Sequence, residues 1–397
     1  MPRRPRDRRA QIVTAASTLF HQQGYRQVNM AQIAAAVGIT ASALYRHFPG
    51  KRQLLTAVIA EYFTRLERDA SDPEPALSLP DVVRRLAAGA LDRREPPLLW
   101  AREARHLNDG ERAELRERLR GVADAVAKRL RAERPELTDA DAQILVWRAI
   151  AVLTSPSYHR VELPRPRFER MLVDMTMAVL TLTPPRISAA EVAAAGPATP
   201  VPRRPVLPRV SRREALLSAA LHLFAERGYH DVTVDDIGAA VGIAGPSVYN
   251  HFPSKSAFLT ALVNRGAEYL SLAMSQVLEE ATDPATALAD LLRCFAGFAW
   301  DHEHLTSMLV GEVHNLPEED LRQVRSTQRE YVAELFHLLR LANPTIQDEG
   351  EARVRVHAAL NVVNHLARTR RARRIPALRD HALASALAAM GIGRHAG

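Results

Sequence analysis

Apolar residues recur at three- and four-residue spacing along most of the chain. Ile12, Val13, Ala16, Leu19 and Phe20 mark one face of a helix over residues 9–23, closed by Gly24, a position suited to a left-handed C-terminal cap. Asn29 is a good N-cap for a second helix, with Gln32 three residues on to return a capping hydrogen bond. Ile33 and Val37 then lie four apart on one face. Gly38-Ile39 reads as a tight turn and Thr40 as the cap of a third helix, on which Leu44 and Phe48 face inward. A fourth helix opens at Lys51. Long segments rich in Ala, Leu, Arg and Glu follow with the same period, and no sustained alternation predicts strands. The expected fold class is all-α.

The pattern occurs twice. Sliding the chain by 204 residues superimposes Leu19-Phe20 on Leu223-Phe224, Gly24-Tyr25 on Gly228-Tyr229, and Val37-Gly38-Ile39 on Val241-Gly242-Ile243. Tyr45, His47, Phe48, Pro49 and Lys51 fall on Tyr249, His251, Phe252, Pro253 and Lys255, and 21 of the 43 positions from Ala15 to Ala57 are identical. A fainter echo continues downstream, with Glu103 over Glu312 and Arg148 over Ala358. A whole module was duplicated, giving a tandem pair rather than a solenoid. The expected organisation is a head at 1–60, a helical body at 61–183, a linker at 184–208, a second head at 209–264 and a second body at 265–397. Seven prolines between Pro184 and Pro208 rule out a regular helix in the linker and predict an extended, semi-rigid segment.

Composition narrows the partners. Lys and Arg outnumber Asp and Glu by 53 to 45 in 397 residues, a net charge of +8, which favours nucleic acid or an anionic membrane surface. Residues 1–52 hold nine basic side chains against Asp7 alone, a net of +8, whereas residues 203–255 balance seven against five, a net of +2. The single cysteine, Cys294, cannot form an intrachain disulfide, fits a reducing compartment and reads as a buried small apolar residue. No apolar run is long enough for a membrane span and no secretory signal opens the chain, so a cytoplasmic protein without membrane association is expected.

Helix, short glycine turn, helix is the sequence form of a helix-turn-helix. Ala41, Ser42, Tyr45 and Arg46 lie off the inward face of the third helix and are available to a groove, the small residues permitting close approach to base edges. Tyr45 and His47 are placed to donate to phosphate oxygens, and Lys51 opens a helix whose positive end suits an anion. In the second copy Pro246 falls in the first helical turn, where a missing N–H costs little. The basic arms, Arg3, Arg4, Arg6, Arg8 and Arg9 in one copy and Arg203, Arg204, Arg209, Arg212 and Arg213 in the other, could follow phosphates or enter a minor groove.

These residues resemble the tetracycline-repressor (TetR) family of bacterial transcriptional regulators. The resemblance rests on Leu-Phe-x-x-x-Gly-Tyr, Gly-Ile and Tyr-x-His-Phe-x-x-Lys, and covers residues 8–60 and 211–264. It implies two tandem modules, each with a three-helix DNA-binding head and a larger helical domain for dimerisation and a small-molecule inducer. By position it implies that Thr40, Ala41, Ser42 and Arg46 face bases while Tyr45, His47 and Lys51 hold the backbone. The matching residues of the second copy are Ala244, Gly245, Pro246 and Asn250, then Tyr249, His251 and Lys255; Asn29, Thr233 and Ser247 complete the candidate DNA-binding set. The holding set is identical and the base-facing set differs throughout, so two different half-sites are expected. Family members pair identical chains; here one chain could supply both halves as an intrachain pseudo-dimer, favoured over a homodimer of tandem chains because the linker is long enough for side-by-side docking.

The bodies carry no catalytic constellation, no phosphate loop and no metal spacing, and no enzyme activity or cofactor is expected. Trp100, His106, Trp147, His314, Asn315, His357 and Asn361 are candidates to line a pocket for a small apolar inducer. The expected function is a sequence-specific regulator of transcription, a repressor released from its double-stranded DNA operator by that inducer. A sequence-tolerant or architectural DNA-binding protein is the alternative, and it does not explain two distinct reading helices.

Overall fold

The computed structural model describes residues 5–70, 77–185, 187, 191 and 211–392. The chain divides into two compact units, Met1–Pro184 and Pro185–Gly397. Both are helical, and no strand occurs among the described residues. Most of the predicted proline-rich linker lies outside those residues.

The first unit opens with α1 (Pro5–Gln23), α2 (Met30–Ala36), α3 (Ala41–His47) and α4 (Lys51–Ala70). Helix α1 starts four residues before the apolar pattern predicts. Its opening turn carries no apolar residue for the pattern to register, and proline is tolerated at a helix start. Part of the predicted basic arm is therefore helical: Arg8 Nη1 donates to the Val37 carbonyl at 3.0 Å, and the Arg9 guanidinium lies 4.9 Å from the Phe48 ring centroid. The predicted caps are present. The Asn29 side chain accepts from Gln32 N at 2.9 Å while Gln32 Oε1 accepts from Asn29 N at 2.7 Å, and Thr40 Oγ1 accepts from Ala43 N at 3.2 Å.

The body follows with α5 (Leu79–Asp92), α6 (Glu95–Glu103), a 3₁₀ turn (Ala104–His106), α7 (Asp109–Glu133), α8 (Asp139–Thr154) and α9 (Arg165–Leu180). Head and body share one core. Ile12, Phe20, Ile33, Leu44 and Phe48 pack with Leu54, Leu55 and Val58 of α4 and with Leu99, Leu107 and Leu115 of the body. At roughly 25 cal/mol per Å² of apolar surface buried, a shared core of this kind ties the head's orientation to the body.

The second unit repeats the order: α10 (Arg212–Arg227), α11 (Val234–Ala240), α12 (Gly245–Val248), α13 (Lys255–Glu280), α14 (Pro284–Asp301), α15 (Glu303–Gly311), a 3₁₀ turn (Val313–Asn315), α16 (Glu318–Ala342), α17 (Glu349–Ala367), α18 (Arg370–Arg373) and α19 (Ala377–Met390). Gly228 closes α10 at φ 86°, ψ 154°, an extended positive-φ conformation that is almost exclusive to glycine. Two local expectations need revision. Helix α12 has four residues where α3 has seven; both start at the same point, and the last turn of the second passes to tighter bonding, His251 N donating to Val248 O at 2.9 Å. Cys294, on α14, is half-buried rather than buried, and burial pushes its thiol pKa up.

Candidate nucleic-acid interface and effector cavity

Each head presents one exposed face. In the first, Thr40, Ser42, Tyr45, Arg46 and His47 are exposed and Ala41 half-buried, with Leu44 alone of α3 buried. In the second, Ala244, Pro246, Ser247, Tyr249 and Asn250 are exposed, Gly245 and His251 half-buried, and Val248 buried. Tyr45 is 51% and Tyr249 53% exposed, a large aromatic surface left in solvent at the same point of both copies. Asn29 and Thr233 are exposed but already committed to capping their helices.

The two lysines are engaged within their own heads. Lys51 Nζ donates to the carbonyls of Arg26 at 3.1 Å and Val28 at 2.9 Å, and lies 4.6 Å from the Tyr25 ring centroid. Lys255 Nζ donates to Tyr229 O and Val232 O, both at 3.0 Å, and lies 4.5 Å from the Tyr229 ring centroid. Each lysine thus fastens the loop between the first two helices of its head to the start of the fourth. Burial, then the nearby Arg26 charge, lowers the Lys51 pKa.

Behind each loop sits a buried glutamate from the body. Glu103, 4% exposed at the end of α6, places Oε2 3.3 Å from His106 Nε2, and the His106 ring stacks on Tyr25 at 4.8 Å between centroids. Burial raises the Tyr25 hydroxyl pKa, and the Glu103 carboxylate raises it further. In the second unit Glu312, 2% exposed, accepts from Asn315 Nδ2 at 2.8 Å, and Asn315 Oδ1 lies 2.7 Å from His230 Nε2. With the Asn315 amide nitrogen given to Glu312, its oxygen accepts and His230 Nε2 donates. His106 and Asn315, expected in an inducer pocket, therefore join head to body.

A cavity of about 30 Å³ lies within the first body. Its wall includes Tyr62 and Leu66 of α4, Leu86 of α5, Val122 of α7, Ile150 of α8 and Leu180 of α9. Thr154 and Thr176 also reach it, but their hydroxyls donate to Ile150 O at 2.9 Å and Leu172 O at 2.6 Å, leaving an apolar surface. None of Trp100, His106, Trp147, His314, Asn315, His357 and Asn361 lines it. Trp100 instead packs edge-on against Phe63 at 5.5 Å, while Trp147 and His314 are half-buried. His357 and Asn361 share one face of α17, a single turn apart.

The family profile described as bacterial regulatory proteins, tetR family, matches residues 12–58 and again residues 216–262. Each head thus carries the tetR-family motif. Both matches cover a head, so the duplication extends through the family's own motif. The HTH-type transcriptional activator FasR of Mycolicibacterium smegmatis is 36% identical to this chain over 92 residues, 23% of the chain and 42% of FasR. The HTH-type transcriptional repressor KstR2 of the same organism is 32% identical over 124 residues, 30% of the chain and 60% of KstR2. A solved TetR-family transcriptional regulator from Bordetella parapertussis aligns with 44% of the chain and 95% of its own, at 19% identity and a TM-score of 0.40. The chain spans about half the length of the curated relatives it matches.

Proposed function

We propose that this chain is a sequence-specific, DNA-binding transcriptional regulator whose two heads read different half-sites of one operator. The observation that carries the reading is the repeated exposed face: a solvent-exposed tyrosine and a histidine at matched positions, beside base-facing residues that differ between copies. The tyrosines and histidines hold the sugar-phosphate strands, which fixes register, while Thr40, Ala41, Ser42 and Arg46 in one head and Ala244, Gly245, Pro246, Ser247 and Asn250 in the other supply sequence preference. Lys51 and Lys255 act in the same set chiefly by setting the loop that backs the reading helix.

A small apolar ligand entering the first body is the proposed signal, with release from DNA as its effect. The cavity is far smaller than the several hundred Å³, roughly, of a pocket that holds a small organic ligand, so a ligand must part the helices that form it. One of those helices is α4, which carries Tyr62 on the cavity and Lys51 at the head. A ligand that favours the parted arrangement over the DNA-bound one shifts the population away from operator. FasR is named an activator and KstR2 a repressor; repression is the reading adopted here, with the two heads of one chain paired as a pseudo-dimer in preference to a homodimer of tandem chains.

Selection of bound fragments from genomic DNA, followed by footprinting, tests this. We expect an imperfect palindrome whose half-sites differ. Tyr45→Phe and Tyr249→Phe, which remove only exposed hydroxyls, should each weaken binding about fivefold, at roughly 1 kcal/mol per hydrogen bond. Unchanged protection in the double variant, or equal affinity for all fragments at fixed salt, overturns the reading.

A further inference from the structure

The second head differs from the first at three positions where α11 approaches α12. Gly238 of α11 stands where the first head has Ala34. A methyl group on Gly238 would lie 2.6 Å from the Ile243 carbonyl oxygen and 2.8 Å from a Val248 methyl, so the present approach of α11 to α12 admits only glycine. Three residues earlier on α11, Asp235 replaces Ala31, and its carboxylate lies against Gly245, the first residue of the reading helix, which replaces Ala41. A methyl group on Gly245 would stand 2.1 Å from Asp235 Oδ1. The absent side chain at 245 thus leaves room for a carboxylate at the leading edge of the reading helix.

An ordinary structural role accounts for this poorly. An acid in the first turn of a helix is favoured by the helix dipole, but Asp236 already fills that role through its reciprocal bonds with Thr233. Nor does a dipole contact require glycine at 245. Asp235 is exposed and forms no ion pair among the described residues. It lies against Gly245, whose chain neighbours Ala244 and Pro246 are exposed.

We propose that Asp235 is a specificity-determining residue of the second head, accepting a hydrogen bond from the exocyclic amino group of a major-groove base, cytosine foremost. This rests on the DNA-binding function proposed above. An ionised carboxylate only accepts hydrogen bonds. In the major groove the donors are cytosine N4 and adenine N6, whereas guanine and thymine present acceptors that repel it. Phosphates repel it too, so Asp235 adds selectivity and no general affinity. The first head, with Ala31 at this point, lacks the device.

The test is half-site selection from a randomised pool at fixed salt, using the full chain and its Asp235→Ala and Asp235→Asn variants. The unaltered chain should show one second-half-site position where cytosine or adenine is preferred about tenfold over guanine or thymine. Asp235→Ala should flatten that position alone, and Asp235→Asn, whose amide can bridge adenine N6 and N7, should move it toward adenine. The first half-site should stay the same in all three. An unchanged base profile overturns the proposal, as does an even rise in affinity for every sequence, which is phosphate repulsion alone. Loss of all sequence preference in the unaltered chain instead removes the DNA-reading function itself. Thermal melting supplies a second arm: Gly245→Ala should destabilise the second head when Asp235 is present and be tolerated once Asp235 is alanine. Equal harm in both backgrounds sinks the coupling.

Discussion

The Lys51 ammonium lies 4.6 Å from the Tyr25 ring centroid while donating to two carbonyls of the same loop, and Lys255 stands in the same relation to Tyr229. The pair explains why lysine, aromatic and glycine recur together in both copies. The loop after α1 has no regular hydrogen bonding of its own, and the ammonium satisfies carbonyls that a helix would otherwise have paired. Lys51→Met keeps the stem and removes the donors, and should cost the first head about 2 kcal/mol in denaturant unfolding, the usual scale for charged hydrogen bonds. Lys51→Arg should cost nearly as much, since a planar fork does not fit the same carbonyls. Full stability in Lys51→Met would return the lysine to a purely DNA-contacting role.

Glu103 and Glu312 are buried acids at matched positions, and an unpaired carboxylate in such a site is costly. Glu103→Ala should leave His106 without its carboxylate partner and loosen its stack on Tyr25, and Glu312→Ala should remove the acceptor that orients the Asn315 amide toward His230. Each is expected to lower stability by about 2 kcal/mol and to reduce operator affinity more than Tyr45→Phe does. The informative measurement is ligand response: with head and body uncoupled, residual DNA binding should become insensitive to any effector. Retained response in both variants places the coupling elsewhere.

Much of the heads was legible because their signals are local. Asn29, Gln32, Thr40, Thr233 and Asp236 cap helices within three residues, and glycine at 38 and 242 takes the positive φ (67° and 70°) that the turn demands. The start of α1 was hidden because arginine and proline carry no apolar period. In the bodies, one helical stripe looks like another. Tyr62, Val122 and Ile150 read as ordinary core positions, and only the packing of five helices leaves a gap among them. Two of the polar residues expected to contact a ligand, His106 and Asn315, were visible as chemistry but not as position. Their signal was the alignment of Glu103 with Glu312. The contact between Asp235 and Gly245 had no sequence signature, since it depends on how closely α11 approaches α12.

The charge difference between the heads sets a prediction for salt dependence. Residues 1–52 carry a net +8 and residues 203–255 a net +2. Each phosphate neutralised contributes about 0.9 to the slope of log K against log salt. Arg8 and Arg9 are partly occupied inside the first head, so the variants of choice are Arg3→Glu with Arg4→Glu, against Arg203→Glu with Arg204→Glu. The first pair should reduce the slope more than the second. Equal reductions show that both arms contact DNA alike.

The second body should weaken in acid before the first. His357 and His365, two turns apart on α17, are each held at a pKa of about 4 instead of 6.5. Burial of the ring is the main cause, and the charges of Arg353 and Arg368 respectively add to it. Both residues keep some surface in solvent, so the full shift overstates the energy available; about 2 kcal/mol per ring is a reasonable scale. Because folding lowers these pKa values, the unfolded chain binds more protons between about pH 6.5 and pH 4. Stability is present in full above pH 6.5 and is lost as pH falls through that window. Carboxylates titrate over the lower part of the same range, so the decisive comparison is with a His357→Gln, His365→Gln variant. Denaturant unfolding of that variant should show a shallower fall from pH 6.5 to 4.5, with the difference appearing first near pH 6, where carboxylates are still ionised. Parallel curves for the two proteins would mean that the rings already reach water in the folded chain.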